Sequence, residues 1–269
     1  MLYLIRYSEI GLKSKRVRTM LENFLINDIK NACKYYGMEA SIKKIDGRIV
    51  IEGEKFIEEI LKRIGGVRSF SPVAMTGVGI DEITEKALGY SSFIKENESF
   101  ALRVRKAGKH GYTSRDVATI VGDAIRIKRK AKVDLENPMH EIFIEIRQRH
   151  AFIFDKIIDG IGGMPYGSQG KVLAFIEGDE DLKAAWLMVR RGCHVDFALA
   201  KDFEREIKEM MKWRRHTIFY CNSMHEAEKI ALQNEAKAIV TGKENFIKLS
   251  IPVFYPLLGK EYVRMQVWQ

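Results

Sequence analysis

Three groups of residues have types and spacing that could do chemistry. The first lies in "GKVLAFIEGDEDLKAAWLMVRRG", Gly170 to Gly192. It reads as a buried strand, a glycine-containing turn and a helix. That frame aims the backbone N–H groups of a helix start at one point, and a phosphate is a common occupant. Here the turn, Glu177-Gly178-Asp179-Glu180-Asp181, holds four acids and one glycine. Carboxylates can satisfy the positive end of a helix themselves. Lys171, at the head of the strand, is the candidate cation for a phosphate in this stretch.

The second group is basic. In "LRVRKAGKHGYTSR", Arg103 and Arg105 are two apart on one strand and share a face. Lys106, Lys109, His110, Tyr112 and Arg115 follow in a loop and a helix start. Arg126, Lys128, Arg129, Lys130 and Lys132 then close that helix. One reading is a phosphate-tracking surface, with Tyr112 or His110 available to stack on bases. The other is a solvated helix end whose cations suit the helix dipole. The third group, Lys13, Lys15, Arg16 and Arg18, surrounds the first helix start, where cations run against the dipole. A polyanion contact would account for it, and so would a plain exposed loop.

Metal and thiol chemistry find less support. The histidines at 110, 140, 150, 194, 216 and 225 have no HxxxH-type ligand spacing, and each reads as structural. Cys33, Cys193 and Cys221 are far apart and form no CxxC pair, which argues against a disulfide framework and for a reducing compartment. Cys221 precedes a helix, which can lower a thiol pKa. No partner for it is visible, so it reads as a packed thiol.

The elements that must position these groups fall into three stretches. Residues 1–74 read strand (2–7), helix, strand (41–44), strand (48–52), helix (55–64) and strand near 67–73. That β-α-β-β-α-β order is ferredoxin-like. Asp46-Gly47 is a hairpin signal. Residues 75–166 supply helix, strand (99–107), helix (113–130) and two more strands, with Ser114 as a possible N-cap. The glycine-rich "GIGGMPYGSQG", Gly160 to Gly170, reads as a linker. Residues 167–269 alternate strand and helix, which predicts a parallel sheet. The fold class is therefore multidomain, α/β and α+β.

The bulk numbers agree. The 269 residues suit two or three domains. Hydrophobic residues at 46% and charged residues at 30% describe a globular chain. The net charge of +9 fits a nucleic-acid partner. The opening "MLYLIRYSEIGLKSK" is no secretion signal, and no run is long enough to span a membrane. A cytoplasmic protein is expected.

Several segments together resemble the tRNA 4-thiouridine synthetase, or tRNA sulfurtransferase, family. "IRYSEIGLKSKRVRTMLENFLINDI" resembles its opening. "FALRVRKAGKHGYTSRDVATIVGDAI", "KVDLENPMHEIFIEIR" and "IDGIGGMPYGSQGKVLAF" resemble its THUMP domain and the exit from it. "CNSMHEAEKIALQNEAKAIVTGKE" resembles a later part of its catalytic domain. The resemblance implies a ferredoxin-like domain, a THUMP domain that binds the tRNA acceptor end, and a PP-loop pyrophosphatase-type α/β domain. In the family that last domain uses ATP and magnesium to adenylate a uridine, and a cysteine persulfide delivers sulfur.

The departures are specific. The family's phosphate loop reads S-G-G-x-D-S. In that frame this chain has Glu177, Gly178, Asp179, Asp181 and Leu182 for Ser, Gly, Gly, Asp and Ser. No cysteine matches a sulfur-carrying position, so no catalytic residue and no metal ligand is assigned. The expectation is a tRNA-binding member whose own ATP site is degenerate. It would work beside a catalytic paralogue or sulfur carrier, or as a homodimer. The alternative is an active thiolating enzyme with an atypical loop.

Overall fold

A computed structural model describes residues 1–7 and 9–258. In chain order the elements are β1 (Leu2–Arg6), α1 (Lys15–Tyr35), β2 (Ser41–Ile45), β3 (Arg48–Glu52), α2 (Ile57–Leu61), β4 (Ser69–Pro72), β5 (Ala74–Thr76) and α3 (Ile80–Tyr90). Next come β6 (Ser99–Lys106), α4 (Ser114–Arg129), β7 (Lys132–Val133), β8 (His140–Ile146), β9 (Ala151–Phe154) and β10 (Ile158–Asp159). Last are β11 (Lys171–Ile176), α5 (Asp179–Arg190), β12 (His194–Leu199), α6 (Glu204–Met211), β13 (Ile218–Tyr220), α7 (Met224–Gln233), β14 (Ile239–Val240) and β15 (Val253–Phe254).

These form three five-stranded sheets, ordered β10-β4-β1-β3-β2, β5-β9-β8-β6-β7 and β13-β12-β11-β14-β15. The first carries the ferredoxin-like strand order, with β3 antiparallel to both β1 and β2. Asp46 and Gly47 join β2 to β3 with φ of 49° and 77°. Two left-handed residues are what a tight two-residue hairpin turn needs. In the third sheet all four pairings are parallel, as strand–helix alternation predicts.

The chain packs as two compact units. One takes Met1–Arg6, Ser41–Glu54 and Phe70–Ile158; the other takes Tyr7–Ala40, Lys55–Ser69 and the chain from Asp159 on. In the first unit, α3 and α4 pack on the β6–β8–β9 sheet over Ile83, Val117, Val121, Ile125, Ile142 and Ile144. In the second, one face of the parallel sheet buries Val172, Ala174, Phe197 and Trp186, and the other buries Leu173, Phe175, Ala227 and Ala231. Apolar side chains on both faces are what a parallel sheet requires.

Three expectations are corrected. Thr113, not Ser114, caps α4: its hydroxyl accepts from Asp116 N at 3.2 Å while Asp116 accepts from Thr113 N at 2.7 Å. That reciprocal pair is a capping box, and it shifts the helix start by one residue. The helix expected at 55–64 is only Ile57–Leu61. The glycine-rich stretch at 160–170 is a packed strap rather than a linker. Gly66 N donates to Gly162 O at 2.8 Å, Met164 N to Arg190 O at 3.0 Å, and Arg190 Nε to Ile161 O at 2.9 Å. Gly163 has φ of 73°, and a Cβ there would collide with the Arg190 carbonyl. Its glycines allow close approach rather than motion.

Candidate functional site

In the parallel sheet the chain runs from β11 to β12 to β13 on one side and places β14 and β15 on the other. The order reverses between β11 and β14, and the crevice beyond their carboxyl ends is where such sheets bind ligands. Glu177 and Gly178 follow β11 there, and Thr241 and Gly242 follow β14. Asp181, 5% exposed, ties the two loops together. Its Oδ2 accepts from Glu177 N at 3.0 Å and Gly178 N at 3.1 Å. Its Oδ1 accepts from Thr241 Oγ1 at 2.8 Å and Gly242 N at 2.7 Å. A Cβ on Gly242 would run into the backbone of Glu180, so the β14 loop lies directly against the start of α5. Lys243 pairs with Glu177, and Lys183 with Glu180 at 2.8 Å. Asp179 is exposed at the first position of the helix.

Lys171 is not part of this arrangement. It opens β11, and six residues of strand at ~3.3 Å each put it about 20 Å from the turn. Its Nζ pairs with Asp196 Oδ2 at 2.8 Å. There Lys171, His194, Asp196, Arg215 and Thr217 line a cleft of about 350 Å³ at the opposite end of the sheet. Burial alone would raise the Asp196 carboxyl. Hydrogen bonds from His194, Lys171 and Thr217 N override it and hold the group down at about 2.

The basic residues of the first unit separate into two places. Arg105, Lys106 and Lys109 lie at the closing end of β6 and in the loop beyond it. Arg103, on the same strand face, is held by Glu141 at 2.9 Å and by the Leu135 carbonyl at 2.9 Å. His110 and Tyr112 stack on each other, 5.4 Å between ring centres, and Tyr112 donates to Val78 O at 2.5 Å. Each ring therefore already has one face covered by the other.

The Arg126–Lys130 cluster lies at the far end of α4. Sixteen residues at 1.5 Å each separate it by about 24 Å from the β6 loop. Arg126 pairs with Asp123, Lys130 with Glu96, and Arg129 donates to Leu88 O. Lys128 is exposed. In the second unit, Lys13, Lys15 and Arg16 are exposed around the start of α1, where Ser14 makes no side-chain capping bond. Arg18 is spent locally on the carbonyls of Gly11 and Lys13.

Sequence reasoning missed a second basic group in the first unit. Arg6, Arg48 and Arg147 come from three distant stretches and converge on one carboxylate, Glu145, whose side chain is 8% exposed. Arg48 Nε reaches Glu145 Oε1 at 2.7 Å, Arg147 Nε the same oxygen at 2.8 Å, and Arg6 Nε reaches Oε2 at 3.4 Å. Beside them Asp46 accepts from Arg149 N at 2.8 Å and His150 Nδ1 at 3.0 Å. The available signal was "RQRH", three basic residues within a four-residue turn between two strands.

Cys33, Cys193 and Cys221 are all buried, and burial pushes each thiol up. Glu226 and Glu177 push Cys221 further the same way. Among the described residues no cluster of His, Cys, Asp and Glu could hold a metal ion. No helix among them is long and apolar enough to cross a membrane.

Comparison with known proteins places this geometry. Residues 2–71 match the model of the ThiI ferredoxin-like domain, and residues 79–155 that of the THUMP domain. A probable tRNA sulfurtransferase of Methanocaldococcus jannaschii is 31% identical over an alignment covering 95% of this chain and 82% of the relative. The chain belongs to the tRNA sulfurtransferase family. A probable tRNA sulfurtransferase of Methanobrevibacter smithii is 38% identical over 71% of this chain. The tRNA sulfurtransferase of Pyrobaculum aerophilum is 38% identical over 72%. The chain spans only 51% and 40% of those two relatives. Among solved structures, one from Pyrococcus horikoshii Ot3 superposes with a TM-score of 0.80, 24% identity, and coverage of 95% of this chain and 94% of the other. A 4-thiouridine synthetase, solved with RNA and bound ATP, superposes with a TM-score of 0.72 and 22% identity, covering 95% of this chain and 80% of the other. At these identities the likeness to the tRNA sulfurtransferase structure is one of fold.

Proposed function

We propose that this chain is a tRNA-binding member of the tRNA sulfurtransferase family that does not itself adenylate tRNA. Binding runs through the ferredoxin-like and THUMP segments, here taken as residues 1–74 and 75–166. The PP-loop-type segment, 167–269, serves as scaffold. One observation carries the second half of this reading: Glu177 and Asp179 put carboxylates where the family's loop has Ser and Gly, in a turn that Asp181 holds with four bonds across the switch-point crevice. The N–H groups of Glu177, Gly178 and Gly242, which would face a phosphate, are already donated to a carboxylate. Glu177 and Asp179 bring further negative charge to the same turn. A triphosphate would have to desolvate against these like charges, which costs several kcal/mol. The residues present therefore do not fit ATP and magnesium.

The RNA half of the reading rests on the family, on the THUMP match over 79–155, and on the exposed Arg105 and Lys109 with the half-buried Lys106 between them. The paired Arg126, Arg129 and Lys130 contribute little on this reading, and Lys13, Lys15 and Arg16 are a separate contact. His110 and Tyr112 stiffen the loop that carries Lys109 rather than stacking on bases. Chemistry on the RNA would then come from a catalytic paralogue or a sulfur carrier, in the cytoplasm, or from work as a homodimer.

Two measurements test the reading. Fluorescence anisotropy with labelled tRNA should show binding that weakens steeply with KCl, and R105E/K109E should lose it at least tenfold. Calorimetry with ATP and magnesium, with and without tRNA, should give no heat of binding. Clear ATP binding would overturn the scaffold reading in favour of an active thiolating enzyme with an atypical loop.

A further inference from the structure

The arginines around Glu145 are more numerous than their position in the fold requires. Pinning β1 and β3 against β8 takes one ion pair, yet Arg6, Arg48 and Arg147 all point their guanidinium groups at one carboxylate. Arg105 flanks the same place, since the register of the parallel pair β6–β8 sets it beside Glu145. Three forks on one acid leave positive charge and N–H donors in excess. Arg6 shows the excess directly. Its Nη1 donates to Ser71 Oγ at 3.0 Å and its guanidinium lies 4.5 Å over the Phe154 ring, but its Nη2 is buried with no partner among the described residues. Burial lowers the Arg6 pKa, Glu145 offsets part of that, and Arg48 and Arg105 lower it further.

An orphaned cationic donor in a half-buried place is costly unless an anion meets it. The three side chains are 16%, 21% and 18% exposed, so parts of the guanidinium cluster meet solvent while Arg6 Nη2 does not. Planar forks meeting from several directions suit a tetrahedral oxyanion with several acceptor oxygens. β6 carries Arg105 beside Glu145 and ends at Lys106, with Lys109 in the loop beyond, so the two basic groups share one strand end.

We propose that Arg6, Arg48 and Arg147 form a phosphate site, and that a backbone phosphate of the bound RNA occupies it. Glu145 is then a positioning residue. It spaces the guanidinium groups and holds them aligned. This rests on the tRNA-binding reading and adds to it a defined phosphate contact outside the Arg105–Lys109 face.

The test is anisotropy with labelled tRNA across a KCl series, on the full chain, for wild type, Arg48→Gln, Arg147→Gln, Arg48→Lys and R105E/K109E. Thermal melts of each establish folding. Arg48→Gln and Arg147→Gln should each weaken tRNA binding on the order of tenfold and lower the salt slope by about 1. Arg48→Lys, which keeps the charge and loses the fork, should fall between. Inorganic phosphate, at ionic strength matched with KCl, should compete with tRNA on wild type and much less on Arg48→Gln. Unchanged affinity and slope in both Gln variants, with R105E/K109E impaired, would overturn the site alone. Phosphate that raises the wild-type melting temperature but not that of Arg48→Gln, with tRNA binding the same in both, would overturn the RNA assignment in favour of a free phosphate. A wild-type chain that binds no tRNA would overturn this proposal together with the reading beneath it.

Discussion

Asp181 and Glu145 are two nearly buried carboxylates with opposite balances. Asp181 accepts four hydrogen bonds, three of them from backbone N–H groups, two on each of its oxygens. Glu145 is shared by three guanidinium groups, and one of their nitrogens has no partner among the described residues. The first place is closed, because its donors and acceptors match within the chain. The second is open in the chemical sense, because donors outnumber acceptors. On the proposed reading, this difference separates a site that the chain fills itself from one that takes an anion.

The strongest way to break the comparison is Asp181→Ala. It strands the N–H groups of Glu177, Gly178 and Gly242 and the Thr241 hydroxyl in a buried place. A loss of about 3–5 kcal/mol is expected, read from the urea midpoint. A loss below ~1 kcal/mol would mean that this carboxylate does not hold the crevice shut. Glu145→Gln sharpens the other side. It leaves three guanidinium groups without a counter-charge and should cost about 3 kcal/mol at low salt. Sulfate should restore much of that loss by binding where the carboxylate charge was, and should restore none in Asp181→Ala. Equal rescue of both would erase the distinction.

How far the sequence reached can be judged from the same residues. The hairpin at Asp46-Gly47 and the parallel sheet were legible because both follow from local rules: left-handed turn residues, and strand–helix alternation. The acids at 177–181 were legible as a self-filled helix start, though not that Asp181 alone spans two loops, since Thr241 and Gly242 are sixty residues on. Lys171 was assigned to the turn on closeness in sequence, and a six-residue strand carries it away. The strap at 160–170 read as flexible because glycine serves loose linkers and close backbone contacts equally well. The Arg6–Arg48–Arg147 group was invisible because its members come from the ends of strands in two different sheets, and each alone is an ordinary strand-end cation.

Asp196 offers an intermediate case, a buried carboxylate matched by Lys171, His194 and Thr217 N. Its folded pKa, about 2, lies below the unfolded value near 3.9. Its contribution is therefore complete above pH ~5 and is lost as pH falls through about 4 toward 2. The shift corresponds to roughly 2–3 kcal/mol. Asp196→Asn should lose roughly that much at pH 7, and its stability should vary less than wild type between pH 5 and 2. An acid limb identical to wild type would show that the Lys171–His194 pairing does not stabilise the folded chain.

The smallest effect is expected at Lys243. Its bridge to Glu177 joins the two loops of the crevice from outside, and both side chains are more than a third exposed, 40% and 35%. Exposed pairs are screened, so Lys243→Ala should change stability by less than about 1 kcal/mol. Its value lies in what it leaves in place. The Asp181 bonds are untouched, so if they fill the anion site, Lys243→Ala should be as unable to bind ATP and magnesium in calorimetry as wild type. If ATP binding emerges in this variant, the exposed bridge is the barrier and the buried carboxylate is not. Asp181 would then be an organiser of a usable loop, and the contrast with Glu145 would become one of access rather than of matched and unmatched donors.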